Sequence, residues 1–316
     1  MLTLIAGRDL VHFEAEEPSL RELALRLWSE APGSASRRGR FLVALRTLED
    51  RVLSDPEENL CWELSDDETR LAAPGLSLVV RPRERSAEGA VARDLLASRP
   101  DLVVRLLLET PVTAMKMVDQ QLLHAAGVVG RGGAVVIRGP AGAGKSTLVA
   151  ACWTTGLGLL GDESLLVDRD DPDLLEATLR DLTLTAASAR LLGLETDTVP
   201  AFSGGERKRR VPLLGSSTPS DRLARRVATV LLGPREPGPA RLVPLTGPEF
   251  LQAFEAGGVP QERRYRGSPE TTASAWNGRE TYRLDGAIDL LRAVRLIGDL
   301  ARRTGRPNSL YSVSIQ

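Results

Sequence analysis

Two hydrophobic periodicities divide the chain. Over the first hundred residues short apolar stretches at 2–6, 10–15, 41–45, 60–64 and 76–80 predict strands. Between them Leu20, Leu23, Leu27 and Trp28 fall on one helical face. Ser19-Leu20-Arg21-Glu22 reads as a capping box ahead of them, and Pro32 and Gly33 end the helix. The spacing predicts mostly helix from Ser86 to Gln121, with Pro111 at a first helical position. From Leu122 the runs become longer and more apolar. Those at 122–129 and 134–138 flank Gly130-Arg131-Gly132-Gly133 and predict a β-hairpin. A helix over 148–155 and strands at 157–160, 165–167, 227–232 and 241–245 follow. Thr246-Gly247-Pro248-Glu249 opens another helix, and Leu290, Leu291, Val294 and Ile297 form the stripe of a long one over 287–301. The pattern predicts an α/β chain: a small mixed α+β domain over 1–100 and a larger domain over 101–316.

The second run of that hairpin leads into chemistry. Gly139-Pro140-Ala141-Gly142-Ala143-Gly144-Lys145-Ser146 matches G-x-x-x-x-G-K-[ST] at every fixed position, after an apolar strand and at the start of a helix. Glycines in such a loop let main-chain N–H groups turn onto phosphate oxygens, and the helix N-terminus adds its partial positive charge. Gly139, Ala141, Gly142, Ala143, Gly144, Lys145, Ser146 and Thr147 are therefore the nucleotide-binding candidates. Lys145 is placed to reach the β/γ-phosphates and the Ser146 hydroxyl to ligate Mg²⁺.

Composition sharpens that reading. Of 41 basic residues only Lys116, Lys145 and Lys208 are lysines, so a lysine in this chain is not background. A net charge of −1 offers no general affinity for polyanions. No apolar run approaches ~18 residues, and Met1 is not followed by a basic segment and an apolar stretch; neither a membrane span nor a secretory signal is expected. Two cysteines, Cys61 and Cys152, cannot build a disulfide framework, and a reducing cytoplasm is the expected location.

The acidic partner of the loop narrows the chemistry. Asp162 and Glu163 follow Lys145 by 17 and 18 residues, at the end of the next strand. Adjacent strand residues point to opposite faces, so at a regular strand end one carboxylate can face a metal and the other an acceptor hydroxyl, while a twisted end brings both inward. Leu123-His124-Ala125 before a hairpin, the glycine-rich loop, and Leu159-Leu160-Gly161-Asp162-Glu163 soon after together resemble the catalytic domain of HPr kinase/phosphorylase. That domain is itself similar in fold to ATP-dependent phosphoenolpyruvate carboxykinase. The resemblance covers residues 122–168. It implies that Asp162 acts as base on the acceptor, that Glu163 lies near the metal and that His124 lies beside the reacting phosphates. It also implies a homo-oligomer, since those kinases form hexamers. Their second motif, Glu-Ile-Arg-Gly, has no counterpart; Leu192-Gly193-Leu194-Glu195 does not match it. The chain thus looks more like HPr-kinase-related enzymes that phosphorylate a serine, a natural-product precursor peptide or a small hydroxyl compound than like a kinase of HPr itself.

Basic charge concentrates around Arg207, Lys208, Arg209 and Arg210, continuing to Arg222, Arg225 and Arg226. A compact ammonium suits a phosphate and guanidinium groups suit carboxylates, so Lys208 is assigned to the transferring phosphoryl group and Arg207 and Arg209 to an acidic acceptor. No aromatic residues are interleaved for stacking on bases, which argues against nucleic acid. Ser203-Gly204-Gly205-Glu206-Arg207-Lys208 also looks like the signature loop of ABC ATPases. However, the following strand ends in Gly233-Pro234-Arg235 rather than in an acidic pair. A non-catalytic nucleotide-dependent sensor would use the same loop. The expectation carried forward is an Mg²⁺-dependent ATP phosphotransferase acting on a hydroxyl, with ABC-like ATPase or sensor as the alternatives.

Overall fold

The apolar run ahead of the glycine-rich loop becomes the centre of a sheet because both of its faces find cover. A computed structural model of the chain describes residues 1–6, 8–30, 39–49, 56, 59–65, 67–177, 182–196, 200–201, 208–211, 223–234 and 236–303. It groups into two compact units, one built on Met1–Asp119 and the other on most of the chain from Gln120 onward. Both are mixed α/β. Among the described residues no helix is long and apolar enough to cross a membrane.

The first unit is an eight-stranded mixed sheet. Its elements are β1 (Leu2–Ala6), β2 (Asp9–Ala15), α1 (Pro18–Leu27), β3 (Ser29–Glu30), β4 (Arg40–Leu48), β5 (Cys61–Leu64), β6 (Thr69–Ala73), β7 (Leu76–Arg81) and β8 (Ser86–Ala92). The strand order is β3-β1-β2-β4-β8-β7-β6-β5, with β2, β4 and β8 mutually parallel and the remaining pairs antiparallel. Helices α2 (Arg93–Ser98), α3 (Pro100–Val103) and α4 (Thr110–Lys116) follow, α3 and α4 joined by a π-helical turn. Because α4 packs on β4, β7 and β8, the unit runs to Asp119 rather than to residue 100. Lys116 is buried there, donating to the Ala6 carbonyl at 2.6 Å and lying 3.6 Å from Asp9. That lysine is structural.

Two local expectations fail in this unit. Helix α1 starts at Pro18 with Glu17 as its N-cap and no side-chain cap, so Ser19 and Glu22 form no capping box. Proline fixes the first helical φ one residue earlier. Pro32 and Gly33 lie outside the described residues. Residues 86–92 are a strand, not a helix. Gly89 shows why: a Cβ there would stand 2.9 Å from both Leu45 Cδ2 and the Ser77 carbonyl oxygen of the neighbouring strands.

In the second unit β9 (Gln120–Leu123), β10 (Ala126–Gly130) and β11 (Gly133–Arg138) precede α5 (Lys145–Thr154). Next come β12 (Gly158–Gly161), β13 (Leu165–Asp168), β14 (Leu174–Ala177), β15 (Leu182–Thr185), α6 (Ala186–Leu192), β16 (Pro200–Ala201) and β17 (Lys208–Val211). The chain continues through β18 (Leu223–Leu232), β19 (Arg241–Pro244), α7 (Gly247–Ala256), a 3₁₀ turn (Pro260–Arg266), α8 (Pro269–Trp276), β20 (Thr281–Asp285) and α9 (Leu290–Arg302).

The expected hairpin is present, with β10 and β11 antiparallel and Gly130 opposite Gly133. Strand β11 then runs parallel to β18. Being ten residues long, β18 serves two sheets: its first residues pair with β14 and its last with β20. Along β11 the side chains alternate between two cores. Val135 and Ile137 join α5 and α9 through Leu148, Val149, Val294 and Ile297. Ala134 and Val136 face Phe250, Phe254 and Trp276 of α7 and α8. A strand covered on both sides reads as one continuous apolar run.

Candidate functional site

All of the chemistry-bearing residues described below lie in the second unit, around the C-terminal end of β11. The loop after it needs two left-handed residues, and glycines supply them: Gly142 at φ 75° and Gly144 at φ 99°. Pro140, Ala141 and Gly142 form an exposed crest, while Gly139 is buried and Ala143 donates to the Pro140 carbonyl at 3.2 Å. Lys145 folds back over the loop, its Nζ 2.8 Å from the Gly139 oxygen and 3.2 Å from that of Pro140. It is almost buried. Burial first and the neighbouring Lys208 second lower its pKa to about 8, against the opposing pull of Asp162 and Glu163. The Thr147 hydroxyl is engaged by Ser188 of α6 at 2.8 Å.

The acidic pair lies just past β12, and its two members diverge. Asp162 is 1 % exposed and Glu163 much more open. Thr183 of β15 holds one Asp162 oxygen through its N–H (3.0 Å) and its hydroxyl (3.2 Å). The other oxygen, Oδ1, is buried with no hydrogen-bond partner among the described residues. Burial pushes the Asp162 pKa up to about 6, although Thr183, the Ser146 hydroxyl and Lys208 all pull it down. Glu163 meets the Lys208 ammonium at 2.9 Å.

His124 is not in a strand. The run expected at 122–129 breaks after Leu123: β9 leaves to pair with β13, and β10 restarts at Ala126 to pair with β11 and β12. His124 sits in that break with Nδ1 3.0 Å from the Glu163 carbonyl oxygen. A carbonyl only accepts, so Nδ1 carries the proton and Nε2 keeps its lone pair. Burial and then Lys145 lower the His124 pKa, which leaves the ring neutral at pH 7.

Beneath the loop lies a pair that sequence reasoning missed. Arg138, the last residue of β11 and fully buried, grips Glu262 with two hydrogen bonds of 2.5 and 2.9 Å. Its Nε donates to the Phe254 carbonyl, and its guanidinium stacks over the Phe254 ring at 4.1 Å. Glu262 also accepts the His124 N–H at 2.5 Å. The pair thus ties the strand feeding the loop to the segment bearing His124. An arginine ending an otherwise apolar strand was the available signal; nothing local marks Glu262.

The basic stretch divides. Lys208 lies opposite Thr185 and reaches Glu163, whereas Arg209, the next residue of β17, lies opposite Leu184 and is exposed. Arg207, with residues 203–206 of the ABC-like signature, lies outside the described residues. Arg225 pairs with Asp171, and Arg226 pairs with Asp173 and lies over the Trp276 ring; these serve the sheet. Strand β18, beside β11, runs out into Gly233-Pro234 and brings no carboxylate to the loop. Cys152 is buried in the core, where burial pushes its thiol up to about 12; it is a packing residue.

The donor set suits one kind of metal. Among the described residues no three His, Cys, Asp or Glu side chains gather into a cage. What stands here, beside the buried Asp162, is the Ser146 hydroxyl and the partly open carboxylate of Glu163. Mg²⁺ is commonly held in this way, by one or two carboxylates with phosphates and water completing its shell. No protein-family model matches the chain, and no curated protein matches its sequence.

Proposed function

We propose that the second unit is an ATP-dependent phosphotransferase of HPr-kinase type that phosphorylates a hydroxyl group. The acceptor is a serine of a protein or peptide, or a small hydroxyl compound. One observation carries the reading: Asp162, beside the glycine-rich loop, has one carboxylate oxygen fixed by Thr183 and the other buried with no hydrogen-bond partner among the described residues. An unpaired buried acceptor costs stability unless something fills it. A substrate hydroxyl fills it.

In this reading the loop N–H groups and Lys145 bind the phosphates, Lys145 leaving the Gly139 and Pro140 carbonyls to do so. Asp162 takes the acceptor proton as the acceptor oxygen bonds to the terminal phosphorus and the bond to the departing diphosphate breaks. A carboxylate whose pKa lies near 6 is ionised at neutral pH yet basic enough to share that proton. Ser146 and Glu163 would hold Mg²⁺, which when bound supplies charge neutralisation on the phosphates. Neutral His124 fixes the Glu163 main chain and, through Glu262 and Arg138, keeps the acidic pair in register with the loop. Without a Glu-Ile-Arg-Gly motif, neither HPr nor the reverse phosphorolysis belongs to the proposal.

The test is transfer of label from γ-labelled ATP, with Mg²⁺, to candidate serine peptides and small alcohols. Label on an acceptor supports a kinase. Release of phosphate alone, unaffected by any acceptor, returns the chain to the ATPase alternative, and binding without turnover returns it to the sensor.

A further inference from the structure

Lys208 is the only lysine besides Lys145 at this site, and it comes from a separate piece of structure. The small sheet β16-β17-β15 packs on α5 through Leu182, Leu184 and Val211 against Ala150, with Ala189 of α6 in the same cluster. Lys208 stands opposite Thr185, two residues from the Thr183 that holds Asp162. A chain of hydroxyl contacts from Thr185 through Ser188 to Thr147 links the same sheet to the first turn of α5. One sheet therefore presents a hydroxyl to one carboxylate of the acidic pair and an ammonium to the other.

The contact with Glu163 is suited to being exchanged. Both side chains are partly open, 24 % and 43 % exposed, and ion pairs at such positions contribute little. Lys208 also stands close enough to act on Lys145 and Asp162. Two ammonium groups thus stand beside one acidic pair, and their repulsion is relieved by a polyanion between them. A lysine has the flexible stem and the point charge for such a move; arginine, the usual base of this chain, does not.

We propose that Lys208 is an exchanged cation: it neutralises Glu163 while the loop is empty and moves to the terminal phosphoryl group of a nucleoside triphosphate when a divalent cation replaces it on Glu163. This rests on the phosphotransferase reading above and adds to it a source of selectivity. The site prefers a triphosphate over a diphosphate because only the triphosphate gives Lys208 a new partner.

Equilibrium binding of ATP and of ADP, each with Mg²⁺ and again with EDTA, tests the exchange on wild type, Lys208→Gln and Glu163→Gln. With Mg²⁺, Lys208→Gln should weaken ATP by tenfold or more and ADP by less than threefold. With EDTA, Glu163→Gln should bind ATP more tightly than wild type does, since the ammonium is already released. Equal weakening of ATP and ADP by Lys208→Gln, or no weakening, overturns the exchange, as does an unchanged EDTA affinity in Glu163→Gln. Wild-type protein that binds neither nucleotide refutes instead the phosphotransferase reading. Retained thermal unfolding in both variants shows that binding, not folding, was measured.

Discussion

Replacing Asp162 by Asn should make the second unit more stable while disabling it. The carboxyl is taken from an ordinary pKa of 3.8 to about 6 by burial, so the folded state binds its proton more tightly than the unfolded state does. The group is then least costly below about pH 3.8, and wild-type stability declines as pH rises from there to about 6, beyond which the loss is complete. A shift of roughly two units corresponds to about 3 kcal/mol at 1.36 kcal/mol per unit. Asparagine does not ionise. Its Oδ1 can keep both Thr183 hydrogen bonds, and its neutral amide buries no charge. Urea unfolding at a series of pH values, followed by tryptophan fluorescence, reads the difference; Trp153 and Trp276 report on this unit. The variant should gain about 3 kcal/mol at pH 8 and progressively less towards pH 4, or ~6–12 °C in Tm for a unit of this size. Transfer should fall by ~10²-fold or more with nucleotide affinity nearly unchanged. A variant no more stable than wild type at pH 8, or a gain that does not vary with pH, refutes the claim that Asp162 is held ionised at a cost.

Other outcomes follow from the same geometry. The free-enzyme pH profile of kcat/KM should rise through about 6 as Asp162 loses its proton and fall through about 8 as Lys145 loses the charge that meets phosphate; a flat profile from pH 5 to 9 contradicts both assignments. Lys145→Ala should lower transfer by ~10³-fold or more without unfolding the chain, checked by activity beside circular dichroism. Glu163→Gln should raise the Mg²⁺ concentration needed for half-maximal rate; if Glu163→Gln and Asp162→Asn instead lose nucleotide binding equally, the division of roles fails. Glu262→Gln leaves the Arg138 charge buried and unpaired and should cost ~3–5 kcal/mol in urea unfolding, whereas replacing both residues by apolar ones of similar volume should recover most of it.

What could be read beforehand was what is local. The glycine-rich loop, its feeding strand and the hairpin turn at Gly130–Gly133 are encoded within a few residues, and they stand where expected. The Thr246–Glu249 capping box, equally local, is also formed. Residues 86–92 were misjudged because Ala87, Ala90, Val91 and Ala92 fit a helical stripe as well as a strand. The choice was made by β4 and β7, which closely flank Gly89. The break at His124 follows from which strand each half pairs with, information held at Leu165 and Ile137 rather than at residue 124. Thr183 and Glu262 were invisible for the same reason: a threonine in a short strand and a glutamate in a 3₁₀ turn look ordinary until the fold sets them against Asp162 and Arg138. Lysine scarcity, by contrast, was a usable signal, since two of the three lysines meet at one site.

The way the loop is supported also dictates when it can exist. Strand β11 is completed only by β18, Arg138 waits for Glu262, 124 residues further on, and the hairpin turn is closed by the Gly132 N–H donating to the Ala301 carbonyl at the end of α9. At that last contact the fit is tight: a Cβ on Gly130 would fall 2.5 Å from the same carbonyl oxygen. A chain still emerging from the ribosome therefore has its nucleotide signature early and the scaffold that shapes it late. Until α9 arrives, the loop segment carries exposed apolar strand on either side, the state in which such segments associate wrongly. The shape of the glycine-rich loop is in this sense a checkpoint on folding: it forms only once the polypeptide has been made as far as residue 301 and that helix has closed against the hairpin.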